Sequence, residues 1–387
     1  MSSDFFQSKK PWSPYKDMIL SYYLTPYLPK VCSLGKPVIV VDCFAGPGRF
    51  GDGTEGSPLI IARAVAQIAQ KGKAVSALLL EEKKALFRRL QANLGPHEFC
   101  CHPKQGSFED SAKEIARLAQ THTVFVYLDP YGIKSLHFAT LAGIYENIRR
   151  GSSVEVLLNL NTPSLVRNGL AILKCTQPAD VKGDWVAEQE AEVDRTMTAE
   201  CLDSIAGGAY WRKIVCGKGS FADMEQTCLR EYLNKMGQYF DQICCYGVKA
   251  KYEHTVPKYR LVFGSRHPDA YVLMNDAVCN ARDRFLGKQR VEGYLPGLDM
   301  RGEDEIHDPC RLERTVLDVL TAPTSRGDLV IRAMRKVFGE YKEAEHRRIV
   351  GDMIRRGKMF SRSGKSRIND HETLSRKPFK VVEPRHD

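Results

Sequence analysis

Short, nearly unbroken apolar blocks alternate with helical periodicity through the first 160 residues of the chain. "PVIVVD", "VSALLLEE", "FCCHP", "TVFVYLDP" and "VEVLLNLN" read as five strands, at Val38–Val41, Val75–Leu80, around Phe99–Pro103, Thr123–Leu128 and Val154–Leu158. Between them, apolar residues at helical spacing predict helices over Pro58 to about Gln70, Lys83–Leu94 and Ser111–Thr121. Another precedes the first strand, over Lys16–Leu28, with an interruption expected near Pro26. Ser57-Pro58 reads as a helix start, serine capping and proline in the first helical position. Strands that are apolar throughout are buried on both faces, so this rhythm predicts a parallel sheet covered by helices on each side.

After residue 160 the rhythm breaks. Asn168–Thr198 is mixed, Cys201–Trp211 shows no clear pattern, and Ala222–Lys235 reads as a helix. Gln242–Lys249 and Tyr259–Gly264 then read as a late hairpin, followed by a helix over Asp269–Leu286. Past Pro309 three helical patterns follow, Arg311–Leu320, Ser325–Phe338 and Glu343–Arg356, and then two short strands around a Ser-Gly-Lys turn. The expected fold class is α/β: a doubly wound, Rossmann-like, mostly parallel sheet with a late antiparallel hairpin, a helical insertion and a C-terminal winged helix. The expected domains are an α/β domain over 1–295 with its insertion at about 165–240, a linker over 296–309, and a basic winged helix over 310–387.

Composition changes this picture in two places. The net charge is +10, and from Arg311 to the end 19 Lys and Arg face 11 Asp and Glu, so most of the excess belongs to the last fifth of the chain. A basic module of this kind suits a polyanion, with a protein-binding platform as the alternative. Twelve cysteines are scattered without metal-ligand spacing, so reduced, buried thiols are expected and no metal site. No apolar run approaches the ~20 residues that span a bilayer. The opening stretch lacks a signal peptide's apolar core, so a cytoplasmic protein is expected. Trp12, Trp185 and Trp211 are assigned to packing, and His254 and Arg167 to the surface.

Candidate chemistry sits at the carboxyl ends of the strands, where open α/β sheets bind ligands. The stretch "DCFAGPGRFGDGTEGSP" after the first strand holds five glycines. Gly46 and Gly48 allow close backbone approach, Phe44 and Ala45 lie in the same turn, and Asp42 is placed to orient its amides. Glu81 ends the second strand and suits a ribose diol; Ser107 and Phe108 follow the third and suit an adenine. Asp129, Pro130 and Tyr131 follow the fourth, an acid-Pro-aromatic turn suited to holding an amine and stacking a base, and Asn159 and Asn161 close the fifth. A nicotinamide cofactor would set its pyrophosphate on a helix starting directly after the glycines. Here the helix starts only at Pro58, some ten residues beyond Gly48, which favours S-adenosylmethionine. The intervening Arg49–Glu55 is expected to fold over cofactor or substrate as a lid. Arg347, Arg348, Arg355, Lys358 and Lys365 would meet phosphates from the C-terminal module.

Five parallel strands with a late hairpin resemble the class I S-adenosylmethionine-dependent methyltransferases. "VVDCFAGPGRFGDGTEGSP", "LLLEE", "VYLDPYG", "VLLNLN" and the later "YRLVFGSRHPDAYVLMNDA" resemble, in order and spacing, the three-Cys-motif partner protein family, over about Trp12–Ala281. That resemblance implies a methyltransferase-like fold and a protein partner carrying three cysteines. The expectation is therefore a methyltransferase acting on a base nitrogen of RNA or DNA, with Asp129, Pro130 and Tyr131 at the acceptor. The alternative is a methyltransferase-fold protein that binds nucleic acid and a partner without turnover. Two departures bear on this choice: an adenine methyltransferase's turn has a second proline, where Tyr131 and Gly132 follow the single Pro130 here, and Ser107 stands where many carry an acid.

Overall fold

The computed structural model describes residues 6–9, 13–149, 153–175, 193–249, 256–291 and 308–379. Trp12, Trp185, His254 and most of the expected linker lie outside them. The chain divides into two compact units, Met1–Ala270 and Tyr271–Asp387.

The first unit is built on a seven-stranded sheet in the order β3-β2-β1-β4-β5-β7-β6. Its strands are β1 (Val38–Asp42), β2 (Val75–Glu81), β3 (Cys101–Gln105), β4 (Thr123–Leu128), β5 (Val154–Leu160), β6 (Gln242–Val248) and β7 (Tyr259–Ser265). The first five pair in parallel, and β7 runs antiparallel to both β5 and β6. The expected late hairpin is thus present, and the sheet is a mixed, Rossmann-like one. β3 begins later than its apolar residues suggest, because Cys101 is the first residue in register with β2.

Helices α1 (Ser13–Cys32) and α2 (Ser57–Ala69) precede and follow β1; α3 (Lys84–Leu94), α4 (Phe108–Thr121) and α5 (Phe138–Arg149) complete the alternation. On one face Phe108 and Ile115 of α4 and Leu141 and Ile144 of α5 pack against Val41, Val126 and Val156. On the other, Tyr23 of α1 stacks on Phe125 of β4 at 5.4 Å and meets Phe263 of β7 edge-on at 5.2 Å. This burial explains why α1 runs through Pro26 and Pro29, where an interruption was expected. Tyr23, Leu24, Tyr27 and Leu28 are all sealed against the sheet, and the apolar area they remove from water offsets the lost amide bonds.

Between β5 and β6 lie α6 (Thr162–Leu173), α7 (Ala199–Ala206), α8 (Tyr210–Val215) and α9 (Phe221–Met236). They share a core of Leu165, Ile205, Trp211, Phe221 and Met224. Arg167, expected at the surface, is buried on α6 with its guanidinium 5.5 Å from the Phe221 ring. Cys175 and Cys216 form a disulfide across 41 residues, which corrects the expectation of reduced thiols throughout. Ten further cysteines are free.

The second unit takes in most of α10 (Pro268–Val291), with α11 (Pro309–Val319), α12 (Arg326–Lys336) and α13 (Glu343–Arg355). Its small antiparallel sheet has the order β8-β10-β9, from Thr324–Ser325, Thr373–Ser375 and Phe360–Ser361. The helix expected to close the first domain therefore belongs with the second. Asn275 and Arg282 hold the turn before α13: the Asn275 amide donates to the Tyr341 carbonyl at 2.8 Å, and Arg282 donates to those of Gly339 and Glu340 at 2.8 Å each. No helix among the described residues is long and apolar enough to cross a membrane.

One carboxyl lies inside the sheet core. Glu155 of β5 accepts from Tyr23 at 2.5 Å and from Ser265 at 3.0 Å. Burial pushes it up to about 7, with those hydroxyls pulling the other way. A carboxyl whose pKa is higher folded than unfolded binds its proton more tightly in the native state. Its stabilising contribution is complete below pH ~4.5 and fades as pH rises to about 7. Urea unfolding should therefore give a stability that declines over that window and then levels, by on the order of 3 kcal/mol from this group. Glu155→Gln should reduce the decline by that amount; an unchanged pH profile would exclude Glu155 as a source of it.

Candidate active site

The order β2-β1-β4 places the topological switch point between β1 and β4, and the glycine turn and the Asp129 turn emerge on either side of it. Asp42, fully buried at the end of β1, accepts from the Phe44 amide at 3.1 Å and from the Ser57 hydroxyl at 2.7 Å. Burial raises its pKa to about 7, and the two donors partly offset this. Ser57 is therefore not the cap of α2: Gly56 holds that position and Ser57 is the first helical residue. Asp42 ties the strand end to the helix start, and the residues between them form a closed excursion.

Within that excursion the Ala45 amide donates to the Leu80 carbonyl at 2.8 Å and the Gly46 amide to Glu81 Oε2 at 2.9 Å. Glu81 Oε1 accepts from the Lys83 amide at 2.8 Å. Burial raises the Glu81 pKa, and the two amides resist the shift. Gly46 and Gly48 lie at φ +65° and +83°, left-handed conformations that a side chain would strain. A Cβ on Gly48 would stand 3.3 Å from Cβ of Asn93, whose amide donates to the Pro47 carbonyl at 2.8 Å. The second half is a small hairpin: Arg49 bridges Glu55, and the Phe50 amide donates to the Thr54 carbonyl at 2.9 Å. Residues 6–9 run along it, with the Gly51 and Asp52 amides donating to the Phe6 and Gln7 carbonyls at 2.8 Å each. The Phe6 ring lies against Gly46, 3.2 Å from where a Cβ would stand.

Two expected adenine contacts have other duties. Ser107 caps α4, accepting from the Asp110 amide at 3.1 Å and donating to its carboxylate at 2.7 Å. Phe108 is core, 1% exposed, with its ring 5.9 Å from that of the half-buried Phe44. The helix starts earlier than its apolar spacing suggests because Ser107 supplies the cap.

Across the switch point Asp129 is held from both sides. Oδ1 accepts from the Asn159 amide at 2.7 Å, and Oδ2 is ion-paired with Lys16 of α1. Burial disfavours the Lys16 charge, but Asp129 and Asp17 outweigh it and raise its pKa. Asp17 also pairs with Lys9, so Lys9, Asp17, Lys16 and Asp129 form an alternating chain of charges, each at most 15% exposed. Lys16 carries a signal that sequence reading passed over: a Lys-Asp pair at the start of a helix whose other inward residues are apolar. Tyr127 and Tyr259 are buried nearby, their hydroxyls without a hydrogen-bond partner. Burial and then the Asp129 and Asp17 charges push both phenols well above their ordinary pKa. Pro130 is half-buried and Tyr131 is 56% exposed. Asn161 caps α6 through the Ser164 amide at 3.0 Å, which removes it from the acceptor wall.

The basic residues of the second unit divide. Arg347 is paired with Glu343 and Asp370, Arg355 with Asp352, and Lys358 with Glu313. These three expected phosphate contacts are thus neutralised locally by neighbouring carboxylates. Arg348 and Lys365 are exposed and make no ion pair among the described residues.

No family model matches the chain, and no curated protein matches it in sequence. The three-Cys-motif partner resemblance therefore rests on its motifs alone. Among solved structures, a provisionally named caffeoyl-CoA O-methyltransferase from Staphylococcus aureus aligns at 9% identity, over 62% of this chain and 82% of its own, with a TM-score of 0.29. A provisionally named transferase from Pyrococcus horikoshii aligns at 11% identity, over 62% of this chain and 63% of its own, with a TM-score of 0.26. At those scores the alignments carry no argument, and the chain's own geometry has to.

Gly48→Ala should cost about 1–2 kcal/mol in thermal or urea unfolding, since it strains a left-handed residue and crowds Asn93. Asn93→Gly, which removes the Cβ that the new methyl would meet, should lower the cost of Gly48→Ala in a double-mutant cycle; strict additivity would show that the two do not meet.

Proposed function

We propose that the chain is an S-adenosylmethionine-dependent methyltransferase acting on a base nitrogen of nucleic acid, with a protein partner as its motifs suggest. The observation that carries this reading is the pair of turns flanking the switch point. One is a glycine turn in left-handed conformation braced by the carboxylate of Glu81, and the other presents Asp129. Glu81 keeps lone pairs beyond those given to Gly46 and Lys83, enough to accept from a ribose diol. Gly46, Gly48 and the ring of Phe44 would line the rest of the cofactor's cradle, and the Arg49–Glu55 hairpin would cover it. The cofactor supplies a methyl group on a sulfonium. The chain's share is positional: it holds the acceptor nitrogen in line, with Asp129 accepting from its N–H.

The C-terminal unit is read as a winged helix that holds the nucleic acid backbone, with Arg348 and Lys365 as its first phosphate contacts. Arg347, Arg355 and Lys358 would join them by exchanging their carboxylates for phosphate, giving weakly sequence-dependent, salt-sensitive binding. One observation favours a second reading, in which the fold binds without turnover: both oxygens of Asp129 are already engaged.

Calorimetry should detect S-adenosylmethionine binding to the full chain, lost in Gly48→Asp and weakened at least tenfold in Glu81→Gln. No heat at saturating S-adenosylmethionine would end the proposal. A labelled-methyl assay on mixed RNA and DNA, run with and without the partner, separates turnover from binding alone.

A further inference from the structure

The buried polar group beneath the first turn of α1 is more than a brace for Asp129. Its fixed members are the carboxylates of Asp17, Asp42 and Asp129, the amide of Asn159 and the phenols of Tyr127 and Tyr259. The Asn159 carbonyl oxygen and both phenol hydroxyls have no hydrogen-bond partner. All of these atoms can accept a hydrogen bond, and the carbonyl and the ionised carboxylates can do nothing else. Unpartnered buried acceptors cost free energy, so a cluster of them beside a candidate site calls for a donor. The cations of this cluster, Lys9 and Lys16, are already paired with Asp17 and Asp129, so it offers an arriving anion no unpaired positive charge.

One donor is already in place: the Lys16 ammonium, on Oδ2 of Asp129. A second carboxylate lies within its reach, with Asp17 Oδ1 at 3.9 Å from the same nitrogen. We propose that this cluster is a subsite for an amino group, that the Lys16 ammonium is its resident placeholder, and that an arriving amine takes Asp129 while Lys16 moves to Asp17. The inference rests on the methyltransferase reading for its substrate class, which it narrows to bases bearing an exocyclic amine, adenine and cytosine, against uracil. Lys16 moves as a unit with its proton, so charge within the cluster is conserved through the exchange. Lys16 is a positioning residue, acting on the acceptor through Asp129.

The test compares the full chain with Lys16→Met and Lys16→Arg. Short single-stranded oligoadenylate, oligocytidylate and oligouridylate are titrated by fluorescence anisotropy, with and without S-adenosylhomocysteine. Removing the placeholder should tighten adenylate and cytidylate about tenfold, the worth of one charge-assisted hydrogen bond no longer competed for, and leave uridylate unchanged. Lys16→Arg should retain the wild-type pattern. Equal or weaker adenylate and cytidylate binding in a folded Lys16→Met would overturn the proposal, because a purely structural ion pair predicts that result. If Lys16→Met does not fold, Lys16→Gln and the wild-type ratio of adenylate to uridylate decide: a ratio of one in both removes the amine subsite. Failure of S-adenosylhomocysteine to bind removes the methyltransferase reading instead, while the amine-against-carbonyl comparison still stands or falls without it.

Discussion

The carboxyl edge of the sheet depends on one buried carboxylate. Asp42 ends β1 and binds the first turn of the excursion through Phe44 and the first turn of α2 through Ser57. Fourteen residues separate it from Ser57, yet both ends of that stretch are held at one point. The stretch can therefore fold only as a loop that leaves and returns. The glycine turn forms where it leaves, and the Arg49–Glu55 hairpin fills what remains. The long delay before the helix, at odds with a pyrophosphate-binding turn, follows from this closure. The glycine turn is bounded by amides and a carboxylate, not by the start of a helix.

The second constraint is charge. Four charged side chains, from Lys9 to Asp129, are nearly buried and alternate in sign. Taking charges out of water is costly unless each finds a partner, and alternation is the arrangement in which every member has one. That chain links residues 6–9, which run along the hairpin, to the turn after β4. The two halves of the candidate site are thus electrostatically joined through the first turn of α1.

The strands of this sheet were readable from the residues because they are apolar and buried on both faces; Val38–Asp42 and Thr123–Leu128 have no exposed position. Helix ends were harder. Ser57 and Ser107 are both serines before an apolar run, yet one caps its helix and the other binds a carboxylate a strand away. Ser107 has an acid three residues on, Asp110, in the pattern of a cap, whereas Ser57 has Ile60 there and is taken by Asp42. Helices α6, α7 and α8 were obscured because their inward residues meet one another and α9, so Trp211 and Arg167 are buried by partners distant in sequence. At the candidate site, glycines and strand-end acids announced themselves by position. Lys16 did not, because a lysine in a first helical turn is ordinarily solvated, and only the tertiary approach of Asp129 makes it otherwise. The basic face misled in the opposite direction: a net count includes Glu313, Glu343, Asp352 and Asp370 but does not show that they pair in space with Lys358, Arg347 and Arg355.

The helices after β5 also reach the turn that carries Asp129. Lys134 of that loop pairs with Asp194 at 2.7 Å, and His137 shares a hydrogen bond with Ser204 of α7 at 2.8 Å. Both partners lie inside the segment closed by Cys175 and Cys216. Closing a loop of that length restricts the unfolded chain by roughly 4 kcal/mol. The order of the loop after Asp129 is thereby tied to the oxidation state of two sulfurs remote from it in sequence. A thiol-rich surrounding and an oxidising one would present the same sequence with two different degrees of preorganisation.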